Sequence, residues 1–132
     1  MGRTGEWWAI QNFHVKPDVI AAGKALQVGA TIANKSLFPQ EPGAISSTWG
    51  GGHVIDHAIA TQTSKTIKRK RLLDKVKRRG LYLKKHLRDL AHDHSSITNP
   101  RGLGLMTAID LPSTKKRNEL ILKSAQKGLI VL

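Results

Sequence analysis

A short apolar run, Val19-Ile20-Ala21-Ala22, ends in Gly23-Lys24, and the chain later reaches Ser46-Ser47-Thr48-Trp49-Gly50-Gly51-Gly52 ahead of a helical stretch. These two pieces constrain the fold more than anything else in the sequence. The apolar run is bounded by turn residues, which predicts a buried strand. The glycine-rich piece lies just ahead of apolar residues 54, 55, 58, 59 and 67, which share one helical face. The N-terminal part reads as strands and loops and the C-terminal part as α/β with long helices, an α/β class for the chain.

The rest of the chain supports that class. Trp7-Trp8-Ala9-Ile10 and Phe13 read as a short helix or turn contributing large side chains to a core. Pro17 turns Lys16 away from helix. Residues 27–33 form a second strand candidate, and 34–43, with Pro39 and Pro42, a loop. A second helix is predicted over about 71–92, striped by Leu72, Leu73, Val76, Leu83, Leu87 and Leu90. Gly80 interrupts it at a cost of about 1 kcal/mol relative to alanine, so a packing reason is expected there. Gly102 to Leu111 reads as one strand, followed by a helix capped by Ser113 or Thr114, carrying Leu120, Ile121 and Ala125 inward and closed by Gly128. Leu129 to Leu132 reads as a last strand.

Composition bounds the function. At 132 residues and 39% apolar content, the chain has material for one domain with a core. It has no apolar run of the ~18–20 residues that span a bilayer, and no membrane role is expected. With no cysteine, disulfides and thiolate metal sites are excluded, and a cytoplasmic location is expected. His53 and His57 share a helical spacing but have no third ligand, so no metal site is predicted. The net charge is +13, and between Lys65 and Arg88 twelve Lys/Arg face only Asp74. That run could contact nucleic acid or a partner. The alternative is a solvated helix face. Only Tyr82 is interleaved with the charges and no nucleic-acid module is present, so nucleic acid is not the expected partner.

Two residue groups could carry chemistry. A neutral lysine amine attacks an aldehyde to give an imine, and its ordinary pKa of ~10.4 must be lowered for that. Lys24, among the small residues Ala21, Ala22, Gly23 and Ala25, leaves room for a flat group against the backbone. It could equally be an exposed residue at a strand end. Ser47, Thr48 and the glycines ahead of a helix are suited to an anion, because free backbone amides and the helix dipole favour negative charge. A plain glycine-rich turn is the alternative. Together, an imine lysine and a phosphate loop suggest pyridoxal phosphate.

Gly2-Arg3-Thr4-Gly5, Pro17-Asp18 with the strand to Gly23-Lys24-Ala25-Leu26, Ser47-Thr48-Trp49-Gly50-Gly51, and Arg101-Gly102-Leu103-Gly104-Leu105-Met106 resemble, in order and spacing, the class III aminotransferases. Gln27-Val28 after the lysine looks most like the lysine 6-aminotransferase branch, with ornithine and 4-aminobutyrate aminotransferases near it. The resemblance implies a fold-type I transferase that uses pyridoxal 5'-phosphate to move an amino group from an amino acid to a 2-oxo acid. Racemase and aminomutase chemistry of the same family is the alternative. It implies Lys24 as the cofactor-bearing and proton-moving residue. It implies that Ser47 and Thr48 belong to the phosphate loop, Thr48 reaching the neighbouring subunit of a homodimer. Gly52 departs from the asparagine usual there, which puts that side chain's contact in doubt.

The same resemblance predicts an organisation: 1–52 as the end of the cofactor domain, 53–93 as connecting helices, and 94–132 as part of the small C-terminal domain. The family's Asp-Glu-x-Gln segment, whose aspartate pairs with the pyridine nitrogen, would precede Gly2, and the arginine for the substrate carboxylate would follow Leu132. The expectation is a fragment, or a reading frame begun at an internal methionine, inactive alone.

Overall fold

The computed structural model describes residues 1–45 and 53–131. The elements run in the order β1 (Val19–Ala22), β2 (Ala30–Ala33), α1 (Val54–Arg69), α2 (Leu72–Asp93), β3 (Thr98–Leu103), β4 (Met106–Asp110) and α3 (Thr114–Gln126). The order is α/β, with two separate two-stranded sheets. Two compact units divide the chain, Met1–Lys77 and Arg78–Leu132, with the boundary inside α2.

In the first unit the N-terminal turn is closed by its own backbone. The Gly2 N–H donates to the carbonyls of Glu6 and Trp7 at 3.2 Å each, and Gly5 N–H to Gly2 at 3.1 Å. Thr4 is buried, and its hydroxyl accepts from Asn12 Nδ2 at 3.1 Å. A 3-10 turn over Ala9–Phe13 follows. Lys77, on the first turns of α2, donates to Glu6 Oε1 at 2.6 Å and so ties the helix to this turn. The strand predicted over Val19–Ala22 is β1, paired antiparallel with β2, Val19 opposite Ala33 and Ala22 opposite Ala30, but it alternates exposed and half-buried residues rather than being buried, because its sheet has only two strands. β2 is shorter than the run 27–33, because Gln27 takes a left-handed conformation and ends the preceding turn. Between α1 and α2, Arg71 is also left-handed (φ 49°) and pairs with Asp74 at 2.9 Å.

In the second unit, β3 and β4 form a hairpin. The single strand expected over Gly102–Leu111 is therefore two half-strands joined at Gly104-Leu105, with Leu103 opposite Met106. Gly104 takes φ 56° at the first central position, as a two-residue type II′ turn requires. Pro100 falls within the irregular pairing between Thr98 and Arg101, where its missing N–H costs no ladder bond. Gly80 is the buried residue of α2 and lies against Gly104, which supplies the packing reason expected of it. Ser113 is the N-cap of α3, its hydroxyl accepting from Lys116 N–H at 3.2 Å. Residues 129–131 form no strand.

Burial departs from the sequence expectation. Among the described residues no apolar side chain is fully buried. Phe13, expected in a core, is 61% exposed, and Leu120 and Ala125 are exposed while Ile121 is half-buried. The apolar stripe of α2 fares better: Leu72, Leu73, Val76, Leu83 and Leu87 are all half-buried, while Leu90 is exposed.

Candidate functional site

β1 delivers the chain into a single 3-10 turn, Lys24–Leu26. Gly23 precedes it and Gln27 follows it. The Leu26 N–H donates to the Gly23 carbonyl at 2.7 Å, and the Gln27 N–H to the Lys24 carbonyl at 3.3 Å. Gln27 Nε2 donates to that same Lys24 carbonyl at 3.0 Å. Lys24 is exposed, and its amine has no hydrogen-bond or ion-pair partner among the described residues. A side chain built on Gly23 would meet nothing within 4 Å, so the backbone ahead of the lysine borders open space.

This turn packs against α1. The helix starts at Val54, one residue after His53, which lies at its N-cap without a side-chain capping bond. The structure thus brings the Lys24 turn to the helix that follows the glycine loop. Ser47 and Thr48 themselves lie outside the described residues.

The arrangement fits a cofactor aldehyde at Lys24. A primary amine stands on a turn held by three hydrogen bonds, with unfilled space alongside. The histidine pair makes no such case. Both His53 and His57 are exposed, and among the described residues no three His, Asp or Glu side chains form a metal cluster. The basic run is a set of exposed and half-exposed cations. Of its twelve Lys/Arg, Arg71 and Lys77 are in ion pairs among the described residues. Lys84 donates to the Gly102 carbonyl at 3.3 Å. No described helix is long and apolar enough to cross a membrane.

Sequence reasoning set Lys24 at the end of the strand, where the structure has it, but missed the conformation of Gln27. Its signal is conformational: a non-glycine residue at φ 62° folds its side chain back on the preceding turn. Nothing in composition or periodicity reports that.

Comparison with known proteins places the chain. The family model for class III aminotransferases matches residues 1–132. An L-lysine-epsilon aminotransferase of Streptomyces clavuligerus is 42% identical over 127 residues, covering 91% of this chain and 28% of that protein. An acetylornithine aminotransferase of Aquifex aeolicus is 34% identical, covering 99% of this chain and 34% of its own length. Among solved structures, the lysine aminotransferase of Mycobacterium tuberculosis superposes with a TM-score of 0.90 at 37% identity, over 99% of this chain and 32% of that one. The chain thus spans about a third of the length of the relatives it matches. It belongs to the class III aminotransferases, a family of pyridoxal-phosphate-dependent enzymes.

Proposed function

We propose that this chain carries the cofactor-anchoring part of an aminotransferase. The reaction moves an amino group from an amino acid of the lysine, ornithine or 4-aminobutyrate type to a 2-oxo acid. The observation that carries the proposal is the placement of Lys24: an exposed amine on a hydrogen-bonded turn at the end of β1, packed beside α1. The names of its relatives, lysine and acetylornithine aminotransferases, support the substrate class.

Lys24 would hold pyridoxal 5'-phosphate through its amine, and Ser47 and Thr48 would donate to the phosphate. The bound cofactor supplies an electron sink for the substrate carbon that bears the amino group. Lys24 would do the protein's share of the proton transfer. When free, its Nζ would take a proton from that carbon and later give it back, as general base and then general acid. The turn that carries this amine is braced, because the carbonyls of Gly23 and Lys24 are pinned. In this reading residues 1–52 close the cofactor domain, 53–93 connect and 94–132 belong to the small domain. Thr48 serves the cofactor of the second subunit of a homodimer in the cytoplasm.

The test is chemical trapping. The protein is mixed with pyridoxal phosphate, reduced with borohydride, digested and mapped. Label concentrated at Lys24 and lost in Lys24→Ala supports the assignment. Label spread over Lys65 to Lys85 and indifferent to Lys24→Ala removes it.

A further inference from the structure

We propose that Gln27 is a positioning residue for Lys24, acting through the carbonyl that the two residues share. This rests on the assignment of Lys24 above.

Gln27 takes φ 62°, in the left-handed region that L side chains other than Asn and Asp rarely enter. Glycine would adopt that conformation without steric cost. Some interaction must therefore offset the cost for glutamine, and the structure shows one. The Gln27 backbone N–H and its side-chain Nε2 both donate to the Lys24 carbonyl, at 3.3 and 3.0 Å. A carbonyl oxygen has two lone pairs, so both are engaged by one residue. The preceding carbonyl, of Gly23, is held by Leu26 N–H at 2.7 Å. The peptide groups on both sides of the Lys24 Cα are thereby fixed, and with them the direction of its Cα–Cβ bond.

That direction matters more for a lysine than for most residues. Its amine sits at the end of four rotatable methylenes, and a small rotation at the Cα sweeps it through a large arc. A lysine that first binds a cofactor and then moves a proton between two carbons needs a fixed pivot, because reactive geometry is lost with displacements of about 1 Å. The left-handed conformation lets Gln27 reach back over the turn, so the unusual φ and the second hydrogen bond have one explanation.

The experiment compares the parent chain with Gln27→Gly. Glycine keeps the left-handed backbone and the main-chain hydrogen bond, and removes only the side-chain one. Each protein is incubated with pyridoxal phosphate, reduced with borohydride and mapped. The readout is label at Lys24 divided by label at Lys35, an exposed lysine of the same unit, alongside the thermal midpoint. The expected result is a midpoint equal to or above the parent's and a ratio lower by about five-fold, the worth of one neutral hydrogen bond. A purely structural role for the side chain would lower the midpoint and leave the ratio alone. An unchanged ratio in Gln27→Gly overturns the role of Gln27 while leaving Lys24 in place. A parent ratio already near unity overturns both assignments together.

Discussion

Gly80 of α2 lies against the backbone of Gly104 in the β3–β4 turn, close enough that a Cβ on Gly80 would sit 2.6 Å from the Gly104 Cα. Real Cβ atoms essentially never approach below 3.0 Å. The helix and the hairpin meet here because Gly80 lacks a side chain.

Gly80→Ala tests this contact with a sign that helix propensity alone gets wrong. In an ordinary helix interior the change stabilises by about 1 kcal/mol. Here the new methyl meets backbone, which cannot rotate aside, and overpacking of this kind costs about 1–3 kcal/mol. Urea denaturation of the variant should show a net loss. Leu81→Ala, one position on and 73% exposed, should stay within about 0.5 kcal/mol of the parent. A gain in Gly80→Ala would mean that α2 and the hairpin are not in contact.

The Lys77–Glu6 pair predicts a loss of stability at alkaline pH. The hydrogen bond that Lys77 donates to Glu6, then the charge of Glu6, raise the Lys77 pKa above the ordinary lysine value. A base whose folded pKa is raised contributes its stability fully below the unfolded pKa. That contribution disappears as pH rises through the higher folded value. The thermal midpoint of Glu6→Gln should therefore lie below the parent's at pH 7, and the gap should close above the folded pKa of Lys77. A gap constant with pH would show that the pair does not hold the N-terminal turn to α2.

Local patterns were legible in the sequence where one element explains itself. The run Val19–Ala22 is β1 residue for residue, the periodic stretch after His53 is α1, and Ser113 caps α3. The hairpin was not legible as such. Its turn, Gly104-Leu105, carries no polar residue, and apolar character runs on from Leu103 to Met106, so the pattern reads as one strand. Gly104 is the signal for the break, but a glycine inside a strand pattern reads equally as a bulge or a close approach. Burial was the least legible. Phe13 and Leu122 are apolar yet 61% and 65% exposed, since a side chain's burial depends on which surface meets it. At the site, the position of Lys24 followed from the motif. The return of Gln27 onto its carbonyl did not, because glutamine has no intrinsic preference for the left-handed region.

Lys24 itself should be dispensable for folding. Its side chain is exposed and unpartnered among the described residues, so Lys24→Ala should unfold within about 0.5 kcal/mol of the parent. A residue that matters for cofactor capture but not for stability is what an anchoring amine requires. A large loss of stability in Lys24→Ala would instead make the turn's lysine structural.

Asp110 gives the complementary prediction at acid pH. Its carboxylate accepts from Asn99 Nδ2 at 2.9 Å and from Arg101 at 2.7 Å across the hairpin. The hydrogen bond from Asn99, then that from Arg101, hold its pKa below the ordinary carboxylate value. An acid with a depressed folded pKa contributes stability above its unfolded pKa. That contribution is lost as pH falls through the folded one, because the unfolded chain then binds the proton more readily. The hairpin should therefore loosen on acidification below pH ~4, and Asp110→Asn should be less sensitive over that range. Asn99 sits at φ 50°, so Asn99→Gly removes its side chain without straining the backbone. Carboxyl-carbon NMR titration should show the Asp110 pKa rising in Asn99→Gly, and rising at least as far as in Arg101→Gln. If Arg101→Gln alone moved it, the ion pair rather than the asparagine amide would be the main hold on the carboxylate.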